Sequence, residues 1–344
     1  MIKVGINGFG RIGRTIFRIN QKDPAFQVVA LNDLDPNVEN LAYLLKYDST
    51  YGRLSQGVSS GKNRLLVNGK PIPFYCKQDI SEVPWEKHGV DVVIDATGVR
   101  QNVMYAHKVA NGVVRKVIIT HSPHNLVDRT IIFGVNEGSY HPQTHHVISA
   151  SICDANAAAP VLKVVDEEFG IESGFVTTLH PWLSYQNLVD GPVSSISSPG
   201  HFWNDYSLGR ASTHSLIPKG TTLVQALGEV LPSIASKLEA ISFRVPQAIV
   251  SCSDVTLRLK RRASVDDINR LFKLKAKTHS RIFDYQEDFL VSIDFLATDY
   301  SVTVHGRWTR VQNGRNVKLV LWYDNEWGYS RRVVDLVRYL MKKR

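Results

Sequence analysis

Hydrophobic residues in the first 120 positions occur in short continuous runs, separated by stretches of helical character. Residues 3–7, 27–31, 90–95 and 116–120 form four such runs, and residues 104–110 are one of the helical stretches. Strands that are apolar on both faces are typical of parallel sheets covered by helices. The pattern therefore predicts an α/β domain with a doubly wound parallel sheet in the first half of the chain.

The second half of the chain has a different hydrophobic pattern. Residues 173–179, 253–259 and 317–322 each alternate apolar and polar positions. This period of two is typical of half-buried antiparallel strands. After residue 143 we therefore expect a separate α+β domain with a mainly antiparallel sheet.

The composition agrees with two folded domains, because 43% of the 344 residues are hydrophobic and only 21% are charged. A net charge of +9 favours anionic partners in general, whether phosphorylated metabolites, nucleotides or nucleic acid. No apolar run approaches the ~18 residues of a membrane-spanning helix, so we expect no membrane segment. The chain begins directly with a strand pattern and shows no signal peptide, which predicts a cytoplasmic protein.

The cysteines and histidines give no sign of a disulfide framework or a metal site. Cys76, Cys153 and Cys252 are widely separated, as expected for a protein of a reducing compartment. There is no C-x-x-C motif, and the adjacent His145 and His146 would point to opposite faces of a strand. We therefore predict no metal.

A glycine-rich turn joins the first predicted strand to a helix. Its residues are Gly8, Phe9, Gly10, Arg11, Ile12 and Gly13, and the second predicted strand ends at Asn32 and Asp33. In a G-x-G-x-x-G turn the glycines allow a pyrophosphate to approach the helix N-terminus, and an acidic residue about twenty positions later binds the ribose diol. The motif predicts a dinucleotide site that prefers NAD over NADP. The alternative is an ordinary glycine-rich turn with a solvated Asp33.

Two further predicted strands end in small polar residues, Thr97 and Gly98 after the third and Thr120 after the fourth. Ligands of such sheets gather at the carboxyl ends of the strands, so we assign these residues to the cofactor site. Each threonine is equally well interpreted as a turn residue.

A candidate nucleophile opens the second domain. Cys153 begins a predicted helix that ends near Gly170, and His180 ends the strand 27 residues further on. A helix N-terminus and a nearby imidazolium would both lower the thiol pKa, into the ~3.5–7.5 range of reactive cysteines. Buried cysteines are most often inert, but a thiol next to a hydride acceptor can form a hemithioacetal with an aldehyde. Cys153 is therefore the predicted nucleophile and His180 its partner.

Five blocks of sequence resemble the glyceraldehyde-3-phosphate dehydrogenase superfamily, and the likeness covers essentially the whole chain. They are INGFGRIGR (6–14), LLKYDSTYGR (44–53), TTLH (177–180), FRVP (243–246) and WYDNEWGYS (322–330). The resemblance implies that Cys153 is the nucleophile, His180 its base and Asn325 the ligand of the nicotinamide carboxamide.

The resemblance also implies a domain organisation. A Rossmann-type NAD-binding domain would comprise residues 1–152, completed by a C-terminal helix at 328–344, and residues 153–327 would form the catalytic domain. Homotetramers are usual in the family.

The chain departs from the family at the expected phosphate sites. The family's Ser-Cys-Thr-Thr-Asn segment contains Ile152 and Asp154 here, and Leu183 and Tyr185 replace two residues of a second phosphate subsite. Neither Ile152 nor Asp154 offers the hydroxyl donor that helps to bind the attacking phosphate. The expected substrate-binding residues are Arg244, Thr221, Thr222, Arg210 and Asp154.

The leading hypothesis is NAD-dependent oxidation of an aldehyde through a cysteine thioester, with a sugar phosphate such as glyceraldehyde 3-phosphate as substrate. One alternative, favoured by the departures at the phosphate sites, is a non-phosphorylating enzyme that releases a free acid. Residues 169–174 and 324–328 also resemble the erythrose-4-phosphate dehydrogenase branch. A second is a weakly active NAD-binding scaffold. Nucleic-acid binding is not favoured, since the basic C-terminus lacks interleaved aromatics. The loop at 193–208 is longer than the family predicts and puts the tetramer contacts in question.

Overall fold

The computed structural model describes residues 1–110, 112–192 and 205–342, which form two compact units. The first comprises residues 1–131, 138–151 and the described residues from 330 onward, and the second comprises 132–137 and the described part of 152–329. Within these ranges, no helix combines the length and apolar character needed to cross a bilayer. Most of the predicted long loop, residues 193–204, lies outside the described residues.

A nine-stranded sheet forms the centre of the first unit. The elements are β1 (Lys3–Asn7), α1 (Arg11–Lys22), β2 (Gln27–Asn32), α2 (Val38–Lys46), β3 (Tyr47–Asp48), β4 (Gly52–Arg53), β5 (Val58–Gly61), β6 (Arg64–Val67), β7 (Lys70–Tyr75), β8 (Val92–Asp95), α3 (Arg100–Val109), β9 (Lys116–Ile119), β10 (Arg129–Thr130) and β11 (Val147–Ser149). The strand order is β10-β11-β9-β8-β1-β2-β7-β6-β5. Strands β8 and β9 are buried at every position, as the continuous apolar runs predict.

The predicted parallel sheet is confirmed from β10 to β7, where all pairings are parallel. The prediction missed the antiparallel extension β7-β6-β5. Asn68 and Gly69 connect β6 to β7 with φ angles of 50° and 74°. Asn-Gly favours these positive angles in two-residue hairpin turns, so this signal was present in the sequence.

An eight-stranded sheet forms the second unit together with its helices. From residue 153 onward, the helices and strands of the chain are α4 (Cys153–Phe169), β12 (Ile171–Pro181), β13 (Ile217–Lys219), α5 (Leu223–Gly228), α6 (Pro232–Ala235), β14 (Leu238–Val245), β15 (Ser251–Leu259), α7 (Val265–Thr278), β16 (Phe283–Gln286), β17 (Val302–His305), β18 (Arg310–Gln312), β19 (Asn316–Tyr323) and α8 (Trp327–Lys342). The order is β13-β14-β12-β15-β19-β17-β16, and β18 pairs with β19.

The predicted mainly antiparallel sheet is confirmed, with two parallel pairs, β12 with β14 and β16 with β17. Helix α4 is mostly buried and packs with the inward side chains of β12, β15 and β19 in one apolar core. This packing fixes the helix N-terminus, and with it Cys153, beside the ends of the central strands.

The predicted domain limits stay predictions, and the compact units differ from them in residues 132–137 and by one or two residues at the other limits. Residues 132–137 belong to the second unit because Ile132 and Val135 pack in its core with α4 residues such as Leu162. The C-terminal helix expected at 328–344 corresponds to α8, whose residues from Ser330 belong to the first unit.

Candidate active site

The glycines of the turn after β1 have two different structural roles. A Cβ on Gly13 would lie 2.1 Å from the Gly8 carbonyl oxygen, and Gly8 has a φ of +87° with Thr97 N within 2.9 Å of an added Cβ. Gly10 differs, because no described atom lies within 4 Å of the Cβ it would carry. It is also the residue that precedes α1. The turn thus leaves open space at the N-terminus of α1, which fits a pyrophosphate.

Gly10→Ala is therefore expected to weaken NAD binding about tenfold or more without loss of folding, because the methyl group occupies only that open space. Gly13→Ala is the contrasting variant, expected to lower the free energy of unfolding by about 1–3 kcal/mol through its backbone clash. NAD titration and chemical denaturation of both variants measure these effects. Unchanged NAD affinity in Gly10→Ala would contradict this placement of the cofactor.

Asp33 follows β2 and is hydrogen-bonded to the glycine turn. Its Oδ2 accepts a hydrogen bond from the Phe9 amide at 2.5 Å, and its Oδ1 accepts from the Asp35 amide at 3.0 Å. These contacts hold a partly exposed carboxylate beside the turn, in agreement with the predicted ribose site. Asn32 instead donates to Asn7 Oδ1 and to the Lys77 carbonyl, so its side chain links the end of β2 to the end of β1 and to the segment after β7.

We expect Asp33→Ser to weaken NAD binding by about 1.5–3 kcal/mol, the contribution of hydrogen bonds to a charged group. The preference for NAD over NADP should fall with it, since the carboxylate repels a 2′-phosphate. Asp33→Asn is the matched control, because it keeps an acceptor for the Phe9 amide while removing the charge. An unchanged NAD/NADP ratio in both variants would place Asp33 away from the adenosine ribose.

The remaining predicted cofactor residues of the first unit lie around the same strand ends. Thr97 donates from its hydroxyl to Asp95 at 2.8 Å and accepts from the Val99 amide, so it orders the turn before α3. Gly98 has a φ of +71° in that turn, and the Thr120 amide donates to the Asp95 carbonyl. Phe9 is fully buried, Arg11 forms an ion pair with Asp48 at 2.6 Å, and Ile12 is partly exposed in α1. Their contacts with NAD stay predictions.

Cys153 and His180 come together in the second unit. Cys153 is the first residue of α4, as predicted, and its Sγ lies 3.7 Å from His180 Nε2. His180 is 5% exposed near the end of β12, and its Nδ1 lies 2.8 Å from the Pro181 carbonyl oxygen. A carbonyl only accepts, so Nδ1 carries the proton and Nε2 presents a lone pair to the thiol. This is the arrangement a general base requires.

Asp154 lies on the other side of the thiol. Its Oδ1 accepts a hydrogen bond from the Cys153 thiol at 3.5 Å and another from the buried Tyr323 hydroxyl at 2.8 Å. Tyr323 ends β19, and its hydroxyl also lies 3.3 Å from the Ser253 hydroxyl. Sequence reasoning missed Tyr323, although a tyrosine ending an inner strand beside the nucleophile could have indicated it. The carboxylate is thus held rigidly beside the sulfur.

The predicted lowering of the Cys153 pKa is wrong for this structure. Burial, followed by the charge of Asp154, raises the pKa of the Cys153 thiol well above its ordinary value. Burial, followed by the charge of Arg244, lowers the pKa of His180 to about 4. With this lowered pKa His180 is neutral near pH 7, and burial together with the Asp154 carboxylate outweighs the effect of the N-terminus of α4 on the thiol. The pair rests as a neutral thiol beside a neutral imidazole.

Asp154→Asn should therefore accelerate alkylation of Cys153 by iodoacetamide at pH 7 at least about tenfold, the effect of one unit of pKa. Removing the negative charge lowers the thiol pKa, and a lower pKa increases the thiolate fraction at that pH. Mass spectrometry of the Cys153 peptide separates this reaction from that of the exposed Cys76. Glu172→Gln, an exposed carboxylate of the same unit, is the control. Equal rates for wild type and Asp154→Asn would contradict the assigned role of the carboxylate.

Two cations lie near this pair. Arg244 is 8% exposed, its Nη2 donates to the Tyr185 hydroxyl at 3.2 Å, and its buried Nε has no hydrogen-bond partner among the described residues. Burial, followed by the charge of Arg244, lowers the pKa of Lys219. Sequence reasoning did not assign Lys219, although a lysine within Pro218-Lys219-Gly220 was visible. The unpaired Nε of Arg244 and the second cation fit an anionic group of a substrate.

The structure shows only local contacts for the other predicted substrate-binding residues. Thr221 accepts from the Leu223 amide at 3.2 Å, and Thr222 is the residue before α5. Arg210 forms an exposed ion pair with Asp190 at 3.0 Å. Their roles in substrate binding stay predictions.

Comparison with known proteins decides the family. Residues 2–103 match the family model "Glyceraldehyde 3-phosphate dehydrogenase, NAD binding domain", and residues 152–325 match "Glyceraldehyde 3-phosphate dehydrogenase, C-terminal domain". The chain belongs to the glyceraldehyde-3-phosphate dehydrogenase family. The predicted resemblance and the predicted NAD-binding domain are thereby confirmed.

Full-length relatives agree with this assignment. The chain is 41% identical over 343 residues to glyceraldehyde-3-phosphate dehydrogenase of Geobacillus stearothermophilus, covering 99% of both chains. It is 40% identical over 340 residues to glyceraldehyde-3-phosphate dehydrogenase 2 of Bacillus subtilis (strain 168), covering 98% of this chain and 96% of the relative. The cytosolic glyceraldehyde-3-phosphate dehydrogenase of Gracilaria gracilis is 40% identical over 341 residues, covering 99% of this chain and 98% of the relative.

The family cofactor also fits Asn325, in the turn between β19 and α8. This residue is 6% exposed, and its Oδ1 is buried without a hydrogen-bond partner in the described part of the chain. A buried carbonyl oxygen without a donor costs about 1–3 kcal/mol. The amide of a nicotinamide carboxamide would satisfy it. This unpaired atom supports the role that the family resemblance implies for Asn325.

Proposed function

We propose that this family member oxidises an aldehyde that carries an anionic group, with NAD as electron acceptor and glyceraldehyde 3-phosphate as the foremost substrate. The observation that carries the proposal is the Cys153–His180 pair beside Arg244, whose buried Nε has no partner among the described residues. A pure NAD-binding scaffold would need neither a thiol–imidazole pair nor a buried guanidinium with an unpaired Nε beside it.

His180 Nε2 takes the thiol proton as Cys153 Sγ attacks the aldehyde carbon, and the proton then passes to the carbonyl oxygen to give a hemithioacetal. His180 subsequently accepts the hydroxyl proton as the carbon is oxidised to a thioester. The glycine turn and Asp33 would hold NAD, which would supply the hydride acceptor, and Asn325 would bind its carboxamide as the family resemblance implies. Attack of the acyl acceptor breaks the carbon–sulfur bond and restores the thiol.

A specific observation favours a second candidate function, in which water cleaves the thioester and a free acid leaves. Asp154 holds a carboxylate 3.5 Å from Sγ, at the place where the family has a hydroxyl donor for phosphate. Two like charges about 4 Å apart repel by about 4 kcal/mol at an effective dielectric of 20. Asp154 therefore opposes a phosphate dianion as acyl acceptor, and its acceptor oxygens suit a water molecule.

We propose a homotetramer, as the family resemblance implies. Phe175, Leu179 and Ile241 on β12 and β14 are 66%, 37% and 51% exposed, and they form an apolar surface on the sheet face opposite the core. Exposed apolar patches of this kind mark association surfaces. A monomer in sedimentation equilibrium would refute the proposal. The cytoplasmic location stays a prediction from the sequence.

NADH formation from glyceraldehyde 3-phosphate and from unphosphorylated glyceraldehyde tests the proposed substrate class. Arg244→Gln is expected to lower kcat/KM for the phosphorylated substrate by about 2–5 kcal/mol, the effect of removing one partner of a buried charge pair. The unphosphorylated aldehyde should lose far less. The exposed Arg258→Gln is the matched control. Equal losses for both aldehydes would contradict an anion site at Arg244.

A further inference from the structure

We infer that Cys153, Asp154 and His180 form a binding site for Zn²⁺ that holds the active-site thiol in an inactive state. One ligand atom from each residue lies within 4.8 Å of the other two. Sγ is 3.7 Å from His180 Nε2 and 3.5 Å from Asp154 Oδ1. A tetrahedral zinc with ordinary bond lengths separates its sulfur ligand from its nitrogen or oxygen ligands by about 3.5 Å. The atoms are therefore already close to the positions of a zinc site.

The ligand types also suit zinc. Thiolate, imidazole and carboxylate are its three usual protein ligands, whereas Mg²⁺ and Ca²⁺ prefer oxygen alone. Three protein ligands leave a fourth position for water. Cys153 is partly exposed, so an ion would enter the site from the side of this residue.

Hydrogen bonds behind the ligands give independent support. A histidine that binds zinc usually donates its other ring N–H to a carbonyl or a carboxylate, and a carboxylate ligand is usually hydrogen-bonded as well. His180 Nδ1 donates to the Pro181 carbonyl at 2.8 Å, which leaves Nε2 free to bind a metal. Tyr323 donates to Asp154 at 2.8 Å. Two of the three ligands are thus fixed in orientation before any ion arrives.

The charge balance sets the strength of the site. On binding, the ion displaces the thiol proton, so the thiolate and Asp154 together supply two negative charges for a divalent cation. Arg244 and Lys219 add positive charge nearby and oppose binding. Asp154 is therefore the ligand that makes the site bind a metal, and it is also one of the residues in which this chain departs from the family segment.

Co²⁺ is the probe for zinc, because cobalt bound to a thiolate gives a near-ultraviolet charge-transfer band. Wild-type protein should give this band with one Co²⁺ per chain, lose it on addition of Zn²⁺ and give none with Mg²⁺. Cys153→Ser should abolish the band. Asp154→Asn should weaken Co²⁺ binding at least about tenfold. Cys76→Ser, which removes the exposed thiol, is the control and should behave as wild type.

A band that persists in Cys153→Ser, or Co²⁺ affinity that is unchanged in Asp154→Asn, would overturn the inference. The Asp154→Asn result is decisive, since the same substitution is expected to make the thiol more reactive and would not by itself weaken a thiolate–metal bond.

Inhibition is measured separately from binding. Zn²⁺ should suppress aldehyde oxidation, EDTA should restore it, and Asp154→Asn should need at least about tenfold more Zn²⁺ for the same inhibition. The inhibition rests on the proposed catalytic role of Cys153, whereas the cobalt band does not. A protein that binds Co²⁺ as described but oxidises no aldehyde would refute the proposed function and leave the metal site standing.

Discussion

Replacing Cys153 with serine is expected to reduce aldehyde oxidation by a factor on the order of 10⁴ or more, as loss of a catalytic nucleophile does in other enzymes. A serine hydroxyl has a far higher pKa than a thiol, and a neutral His180 is too weak a base to ionise it. NAD affinity should hardly change, because the glycine turn and Asp33 belong to the other compact unit. Steady-state NADH formation and NAD titration on one preparation measure both quantities.

Cys252→Ser is the control for this experiment. Cys252 is a buried cysteine that lies within β15 rather than at a helix N-terminus. The control variant should retain turnover. Substantial turnover in Cys153→Ser, with the fold intact, would remove this thiol from the mechanism.

The second large effect concerns the acyl acceptor. Wild-type protein is expected to show little acceleration by inorganic phosphate, whereas the double variant Ile152→Ser, Asp154→Thr should depend on it. The change restores two hydroxyl donors and removes a repulsion of about 4 kcal/mol, which corresponds to several hundredfold in phosphate affinity. Phosphate titrations of the turnover rate, with chromatographic identification of the acyl product, measure the shift.

Ile152→Ser alone is the matched control, because it adds one donor and leaves the carboxylate in place. It should respond to phosphate much more weakly than the double variant. If wild-type protein consumes phosphate stoichiometrically and yields an acyl phosphate, the argument from Asp154 is wrong and the ordinary family reaction applies.

Sequence reasoning located β1, the glycine turn and α1 correctly because their signals are local. The strand, the three glycines, α1 and Asp33 are close in sequence. Glycines at such a turn indicate a positive φ or a close approach of the backbone, so the residue types alone predict its geometry. The same reasoning found Cys153 and its helix, since Gly170 ends α4 where expected. The Asn68-Gly69 hairpin signal was equally local. It was missed because the strands were predicted from the long apolar runs alone.

The electrostatics of the site could not be predicted in the same way. Helix position suggested a lowered pKa for Cys153, but burial and the Asp154 carboxylate act in the opposite direction. The orientation of that carboxylate depends on Tyr323, which is 169 positions away in sequence. Contacts of this range follow from the pairing of β12, β15 and β19, so they become visible only in three dimensions. The convergence of Asp154 on the Cys153–His180 pair was not predicted for the same reason.

The most direct test of the central claim is detection of the covalent intermediate. Wild-type protein mixed rapidly with NAD and glyceraldehyde 3-phosphate, without inorganic phosphate, and quenched in acid should carry an acyl group on the peptide that contains Cys153. NADH should appear in an amount matching the acylated protein in the first turnover. NADH formation with an unmodified Cys153 peptide at the earliest measurable times, or no NADH from any aldehyde tested, would contradict the account.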